Sequence, residues 1–365
     1  MKSSQGVLVA LAIAAAVAVP LRADDVDDWV NAQIKERRVP AVSIAVIRGG
    51  ALIKTAGYGI ANLEHSIPAA PDTIYKIGSV SKQFIAAGVM LLVQDGKVVL
   101  DQPLGRYMAG TPDAWQAITI RHLLTHTSGL VREGPGFDPF KIQPDLDVIK
   151  TAFPLPLNSK PGDKYAYSNL GYYILADVIR AVSGQPWPEF LSGRIFTPLG
   201  MTATRPTSVA AIIPNRAGGY AWSKDRFENM DNWPAVRPSG AFVSTVLDMA
   251  KWEIALQSDR ILTTPTKQQI WTPVRLNDGS EYPYGFGWEI DHFPNGIGPT
   301  GVSMIRHEGT IPGFRAVYWR LPKQDITVIV LSNLERAALD NLTAGIAVRY
   351  DSSLLPAYRK RWPAD

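Results

Sequence analysis

The 365-residue chain contains no cysteine. That single absence removes disulfides, thiolate nucleophiles, zinc–thiolate sites and lipidation of an N-terminal cysteine. A chain this long can bury a core that holds without cross-links, so the absence is compatible with an oxidising compartment. Histidine is scarce, with five residues. Two of them, His122 and His126, have helical i, i+4 spacing, but Leu123 stands where a zinc-protease helix carries its glutamate. No further ligand cluster accompanies them, and neither metal nor organic cofactor is expected. A Gly-x-Ser-x-Gly nucleophile elbow is also missing, as are fixed-period repeats, heptads and low-complexity runs. Gly218-Gly219 is not a phosphate loop.

Charge of one sign does not dominate either. Lysine and arginine number 37 against 33 acidic residues, for a formal net charge of +4. The basic clusters Lys35-Glu36-Arg37-Arg38 and Arg359-Lys360-Arg361 are short and read as solvated ends, so no nucleic-acid partner is expected. Long apolar runs are few. One covers residues 7–19, between Lys2 and Leu21-Arg22-Ala23, and reads as a secretory signal over residues 1–23. Pro20 ends it short of the roughly 20 residues a spanning helix needs. The expectation is a protein exported to a bacterial periplasm, with no stable membrane insertion after cleavage.

What is present is an ordinary globular mixture, 46% hydrophobic and 19% charged. Residues 42–46 and 51–58 are β-rich and separated by Gly49-Gly50, a hairpin signal. Residues 304–307, 314–321 and 326–331 again read as strands, and 335–350 as a closing helix. The strands cluster at both ends, while residues 97–299 are mainly helical and loop-like. The fold class predicted is α/β (α+β): an antiparallel sheet built from both chain ends, flanked by helices, with a mainly helical inserted domain. Residues 24–96 and 300–365 are assigned to the sheet domain, and the active site to the cleft between the two parts.

Ser79-Val80-Ser81-Lys82 opens the most informative stretch. Residues 83–93 are apolar nearly all round and stop at Asp95-Gly96, which marks a buried helix. Positions i and i+3 share a helix face, so Ser79 Oγ and Lys82 Nζ can meet. The helix N-terminus favours developing negative charge at Ser79 and disfavours a charged Lys82, which suits a neutral base. Taken alone, this spacing also occurs in helices whose lysine is merely solvated. Tyr167 and Asn169 lie two apart in Tyr167-Ser168-Asn169, where a phenol can relay a proton if nearby cations lower its pKa. A helix start capped by Ser168 or Asn169 accounts for the same residues. Arg306-His307-Glu308-Gly309 falls on a predicted strand. His307 there offers a second cation or proton donor beside Tyr167, and Gly309 marks close backbone approach, read as that of a substrate. A half-buried sheet histidine is the plain alternative.

Lined up in order, these segments resemble the serine β-lactamase-related and penicillin-binding superfamily. The class C β-lactamase-like branch, with family VIII carboxylesterases and D-alanyl-D-alanine peptidases, is the nearest. Ile118 to Leu130 with His126-Thr127-Ser128-Gly129, Pro198-Leu199-Gly200-Met201, Gly240 to Thr245 and Tyr284-Gly285-Phe286-Gly287-Trp288 also carry the likeness. The resemblance implies Ser79 as the acyl-accepting nucleophile, Lys82 as its partner, Tyr167 as proton shuttle and Asn169 as a holder of Lys82 and substrate. It leaves open which group removes the first proton. It puts His307 where many members carry the lysine of Lys-Thr-Gly, and it makes the backbone N–H groups of Ser79 and Thr310 the oxyanion hole.

A titratable His307 and an acidic Glu308 in that segment weaken the case for a carboxylate-bearing substrate. The function expected is an exported serine hydrolase of small carboxylic esters. Alternatives are a D-Ala-D-Ala carboxypeptidase or D-amino-acid peptide hydrolase, a weak β-lactamase, or a non-catalytic muropeptide-binding module. The partner is a small-molecule ester or peptide. Trp222, Trp233 and Phe242 are candidates to line an acyl pocket, with core packing the equal alternative for each.

Overall fold

The computed structural model describes residues 23–230, 237–240, 242–293 and 301–363. Apart from Ala23, the secretory signal lies outside these residues, and so does Trp233. Strands β1 (Ala41–Arg48) and β2 (Ala51–Asn62) form the expected hairpin about Gly49-Gly50, and β2 continues to pair with β3 (Ile67–Pro68). From the far end of the chain come β4 (Glu289–Phe293), β5 (Val302–Ile311), β6 (Phe314–Leu321) and β7 (Ile326–Ser332). Together they make one seven-stranded antiparallel sheet in the order β4-β5-β6-β7-β1-β2-β3. The two chain ends therefore meet at β7 and β1, with Val42 opposite Ser332. Glu289–Phe293 joins the sheet ahead of the boundary expected at 300.

Side chains on these strands alternate between two cores, as the period of two requires. Val42, Ile44 and Val46 of β1, with Val317 and Trp319 of β6, face helices α1 (Ala23–Glu36) and α5 (Asp340–Tyr350). Val30, Leu342 and Ile346 supply the helical side of that layer. Ala45, Ile47, Ala316 and Tyr318 face the other way, toward α2 (Lys82–Gln94), α3 (Asn169–Ser183) and α4 (Val246–Leu256). The central strands are thus covered on both faces, which is why β1 reads as a continuous apolar run. The closing helix starts at Asp340 rather than 335, because Glu335 N donates to Tyr220 O (3.0 Å) and holds the preceding residues out of the helix.

Helix α2 runs through the middle of the larger core. Residues from Lys82 to Leu92 are all buried, in keeping with its uniformly apolar sequence. Phe84 sits among Phe196, Phe242 and Trp252, with ring centres 5.1–5.8 Å apart. Each such buried ring contributes about 1.5–3 kcal/mol. This packing fixes the start of α2, and with it the serine just ahead. Among the described residues, no helix is long and apolar enough to cross a membrane.

Candidate active site

Ser79 is held by a short, heavily constrained connection. Tyr75-Lys76 pairs with Val243-Ser244, and Ile77 N donates to Phe242 O (3.0 Å). The chain then enters a single 3-10 turn, Gly78–Ser81, and the α-helix begins only at Lys82. In a 3-10 turn residues three apart eclipse, so Ser79 and Lys82 meet more directly than on an α-helix. Ser81 Oγ donates to Gly78 O (2.6 Å) and accepts from Phe242 N (3.3 Å), which locks the turn.

Strand β5 presses against this turn. Gly78 has φ +53°, and a Cβ there would lie 2.8 Å from Thr310 N. A Cβ on Gly309 would lie 1.9 Å from Ile77 O and 3.0 Å from Ser79 N. The close approach expected at Gly309 is therefore made by the protein's own backbone, not by a substrate. It brings the amide nitrogens of Ser79 and Thr310 to the same spot.

Lys82 is fully buried. Its Nζ lies 2.8 Å from Asn169 Oδ1, 2.7 Å from Ser239 O and 3.2 Å from Ser79 Oγ. Asn169 is oriented by its Nδ2, which donates to Glu133 Oε1. Burial holds the Lys82 amine well below its ordinary pKa, with the Arg237 and Arg132 guanidinium groups adding and Glu133 opposing. A neutral amine has two N–H bonds and one lone pair. Asn169 Oδ1 and the Ser239 carbonyl only accept, so they take both N–H bonds and leave the lone pair toward Ser79 Oγ.

The cap and the approach of Tyr167 to Ser79 occur together in Tyr167-Ser168-Asn169. Ser168 caps α3, accepting from Gly171 N (3.1 Å), and its Oγ donates to Val131 O (2.8 Å). Tyr167, just outside the helix, hydrogen-bonds Ser79. Its ring centre is 4.7 Å from Lys82 Nζ and 5.1 Å from the Arg132 guanidinium. The lowered phenol pKa expected there is not found. Burial pushes it up, and the Ser79 hydrogen bond, Arg132 and Arg237 only partly offset that. Tyr167 stands as a phenol, able to donate.

His307 does not face Tyr167 as a cation. It is buried in a chain of hydrogen bonds that includes two residues not expected at the site, His126 and Tyr284. Ser168 N–H donates to His126 Nδ1 (3.0 Å), which leaves His126 Nε2–H to donate to Tyr284 Oη (3.2 Å). Tyr284 Oη also hydrogen-bonds His307 Nε2 (3.0 Å) and Tyr172, and His307 Nδ1–H donates to Glu308 O (2.7 Å). Because His126 accepts at Nδ1, its imidazole is neutral. Burial pushes His307 down to about 3 and holds His126 well below its ordinary value. The His126 ring lies under Tyr167, with centres 4.2 Å apart, and so supports the phenol from behind. His126 and His122 do not share a helix, since that helix ends at Leu124 and His126 has φ +59°.

Two buried neutral histidines make stability depend on pH. In the unfolded chain each binds a proton below about pH 6.5. The unfolded state then holds more protons than the folded one, so stability is lost as pH falls from about 6.5 toward 3. For His307 the expected loss is about 1.4 kcal/mol for each pH unit in that window, and His126 adds in the same direction. His307→Gln, which does not titrate, should give a flatter curve of melting temperature between pH 7 and 5. An unchanged slope would mean that His307 is not buried in its neutral form.

The cleft in front of Ser79 is a cavity of about 330 Å³ with Arg132, Glu133, Asn169, Arg237, Thr310 and Glu335 in its walls. Glu133 Oε1 accepts from Arg237 (2.9 Å) as well as from Asn169. Arg132 is exposed; its carbonyl accepts from Asn169 N (2.8 Å), while its guanidinium, among the described residues, makes no hydrogen bond or ion pair. The apolar pocket expected from Phe242 and Trp222 is not there. Phe242 is core, packed on Phe84, Trp187 and Phe196, and Trp222 lies on a separate hairpin against Phe227 and Arg38. Among the described residues, no group of three His, Cys, Asp or Glu side chains is placed to hold a metal ion.

A family profile described as Beta-lactamase matches residues 26–349. The chain belongs to the beta-lactamase family. It is similar to penicillin-binding protein 4* of Bacillus subtilis, at 29% identity over 314 residues, covering 80% of this chain and 68% of the relative. A D-aminopeptidase of Gluconobacter oxydans is 25% identical over 336 residues, covering 86% of this chain and 60% of that protein. Among solved structures, D-amino acid amidase from Ochrobactrum anthropi SV3, complexed with L-phenylalanine amide, superimposes with TM-score 0.75 at 25% identity. That match covers 91% of this chain and 99% of the amidase. The fold is thus of the β-lactamase and penicillin-binding type, and the chain is one of its serine hydrolases.

In this beta-lactamase family chain, the charged side chains of Arg306-His307-Glu308-Gly309 are paired with neighbours. Glu308 is bound by both Arg306 and Arg315, and Arg315 also donates to Thr310 Oγ1. Arg306 also pairs with Glu289 (2.8 Å) and Asp291 (3.0 Å), so the Glu308 carboxylate is tied into an ion-pair network rather than left free.

Proposed function

We propose that the protein cleaves amide bonds beside D-amino-acid residues in small polar substrates, through an acyl-enzyme on Ser79. The observation that carries this reading is the wall of the cleft, where Arg132, Glu133, Arg237 and Glu335 stand with Met230, Ile311 and Pro312 around the serine. Such a lining suits a substrate bearing charged groups better than the acyl chain of a simple ester. The likeness to a D-aminopeptidase and a D-amino acid amidase supports the same substrate class. Small activated esters are the second reading, since the acyl-enzyme is common to both. A preference for them rests partly on Glu308, whose carboxylate is bound by Arg306 and Arg315. Export, read from the apolar run at residues 7–19, is part of the proposal.

The steps follow from the geometry. Lys82 Nζ takes the proton of Ser79 Oγ as that oxygen bonds to the substrate carbonyl carbon. The N–H groups of Ser79 and Thr310 receive the developing oxyanion, each worth about 2.7–4 kcal/mol in comparable sites. Tyr167, hydrogen-bonded to Ser79, passes a proton to the leaving nitrogen and is resupplied from Lys82 as the C–N bond breaks. Water then gives up a proton along the same path, attacks the acyl carbon and restores the Ser79 hydroxyl.

The test compares kcat/KM for D-alanine p-nitroanilide, its L enantiomer and p-nitrophenyl butyrate, with Ser79→Ala as control. The D-anilide should exceed the L form by roughly tenfold or more. Ser79→Ala should lower turnover by about 10⁴-fold or more. Ester turnover without any D-anilide turnover would replace this reading with the ester one. Stable labelling by a fluorescent penicillin with no turnover at all would point to a binding module.

A further inference from the structure

The two short basic clusters, read from sequence as solvated ends, meet in the fold. Arg37 of the first and Arg361 of the second line one cavity of about 390 Å³, together with Arg315 of β6 and Arg336. These four come from four separate segments, so no local repeat of basic residues accounts for their convergence. The cavity adjoins the catalytic cleft, because Thr310 and Glu335 line both. Four arginines and two acidic residues, Glu335 and Asp340, line it.

Much of this positive charge is uncommitted. Arg315 is engaged with Glu308 and Thr310. Arg37 uses Nε for Gln33 Oε1 (2.8 Å), which leaves its terminal nitrogens available. The Arg361 guanidinium stands 5.9 Å from the Trp362 ring centre. Arg336 is exposed and, among the described residues, has no hydrogen bond or ion pair. Like charges gathered in a recess repel one another and raise the local concentration of anions. Guanidinium forks match the two oxygens of a carboxylate or the oxygens of a phosphate.

We propose that this cavity binds an oxyanionic group, a carboxylate or a phosphate, beside the catalytic cleft. The group is supplied either by the far end of a substrate held at Ser79 or by a free anion. Binding itself does not depend on the reaction proposed above.

The experiment is calorimetric titration of inorganic phosphate and of succinate into the wild-type chain and into Arg37→Ala/Arg336→Ala, at low and high sodium chloride. The wild type should bind at least one probe, more weakly at high salt. The double variant should bind it about tenfold more weakly or worse, with an unchanged melting temperature. Arg336→Glu alone, at an exposed and unpartnered position, repeats the test should the double variant lose its fold. A wild type that binds neither anion, or variants that bind as well as the wild type, overturn the proposal.

A second arm separates the two sources of the anion. It uses two D-amino-acid amide substrates that differ only in a terminal carboxylate or carboxamide. A carboxylate preference that falls in the variants identifies the substrate's own end. Calorimetric binding without that preference identifies a free anion. Because the titration needs no turnover, it reads anion binding equally well in a protein that turns nothing over.

Discussion

Lys82→Met is expected to lower the rate of Ser79 acylation by roughly 10²–10⁴-fold, the range associated with loss of a positioned base. Lys82→Arg should be no better. Arginine stays protonated at any ordinary pH, so it can supply charge but not a lone pair. The distinction rests on the three contacts of Nζ, two of which are to atoms that only accept. Acylation is best followed as the mass shift of the protein with a fluorescent penicillin or a D-anilide, sampled on the millisecond scale. If Lys82→Arg kept more than about a tenth of the wild-type rate, Lys82 would be acting as a fixed charge rather than a base. Methionine leaves Asn169 Oδ1 and the Ser239 carbonyl without their donor, at about 1–3 kcal/mol each. Melting temperatures therefore need to accompany the rates. Rescue of Lys82→Ala by a small primary amine would separate loss of the base from loss of the fold.

Gly309→Ala is expected to disable the enzyme through the backbone alone. The added carbon would sit 1.9 Å from Ile77 O, 2.9 Å from Ile77 C and 3.0 Å from Ser79 N. None of these atoms can rotate away, so the turn that carries Ser79 must move. Overpacking of this kind typically costs about 1–3 kcal/mol of stability. Displacing the Ser79 and Thr310 amides should lower kcat by about 10²–10³-fold, as removal of one oxyanion donor does. Gly193→Ala serves as control, since a Cβ there meets nothing within 4 Å. Wild-type kcat/KM and melting temperature in Gly309→Ala would contradict the close approach of β5 to the serine turn.

The two predictions differ in how far sequence reasoning reached. The Ser79–Lys82 spacing, the Tyr167–Asn169 pair and the order of the segments were legible because each is a local pattern. A period of three or two fixes which side chains share a face, whatever surrounds them. The hairpin at Gly49-Gly50 and the strands at 304–331 were legible for the same reason. His126 escaped because its role depends on Tyr284, 158 residues away, and on His307 beyond it. Its only local signals were its place in the Thr125-His126-Thr127-Ser128-Gly129 segment, which carries family likeness, and its spacing from His122, which suggests a metal. The substrate-approach reading of Gly309 failed similarly, since the approaching atom belongs to Ile77, far earlier in the chain.

By itself the sequence determined the fold class, the meeting of Ser79 with Lys82, and the two ends of the chain that build the sheet. Hydrophobic period and residue spacing carry that information locally. Tertiary structure alone decided the protonation states. Lys82, Tyr167, His126 and His307 are ordinary titratable groups in the sequence, and burial beside particular partners shifts each toward its neutral form. It also decided where charge is spent and where it is left over. Glu308 is paired with Arg306 and Arg315, while arginines from both chain ends converge on one cavity. Desolvation and charge pairing depend on which distant side chains become neighbours, and no short stretch of sequence encodes that.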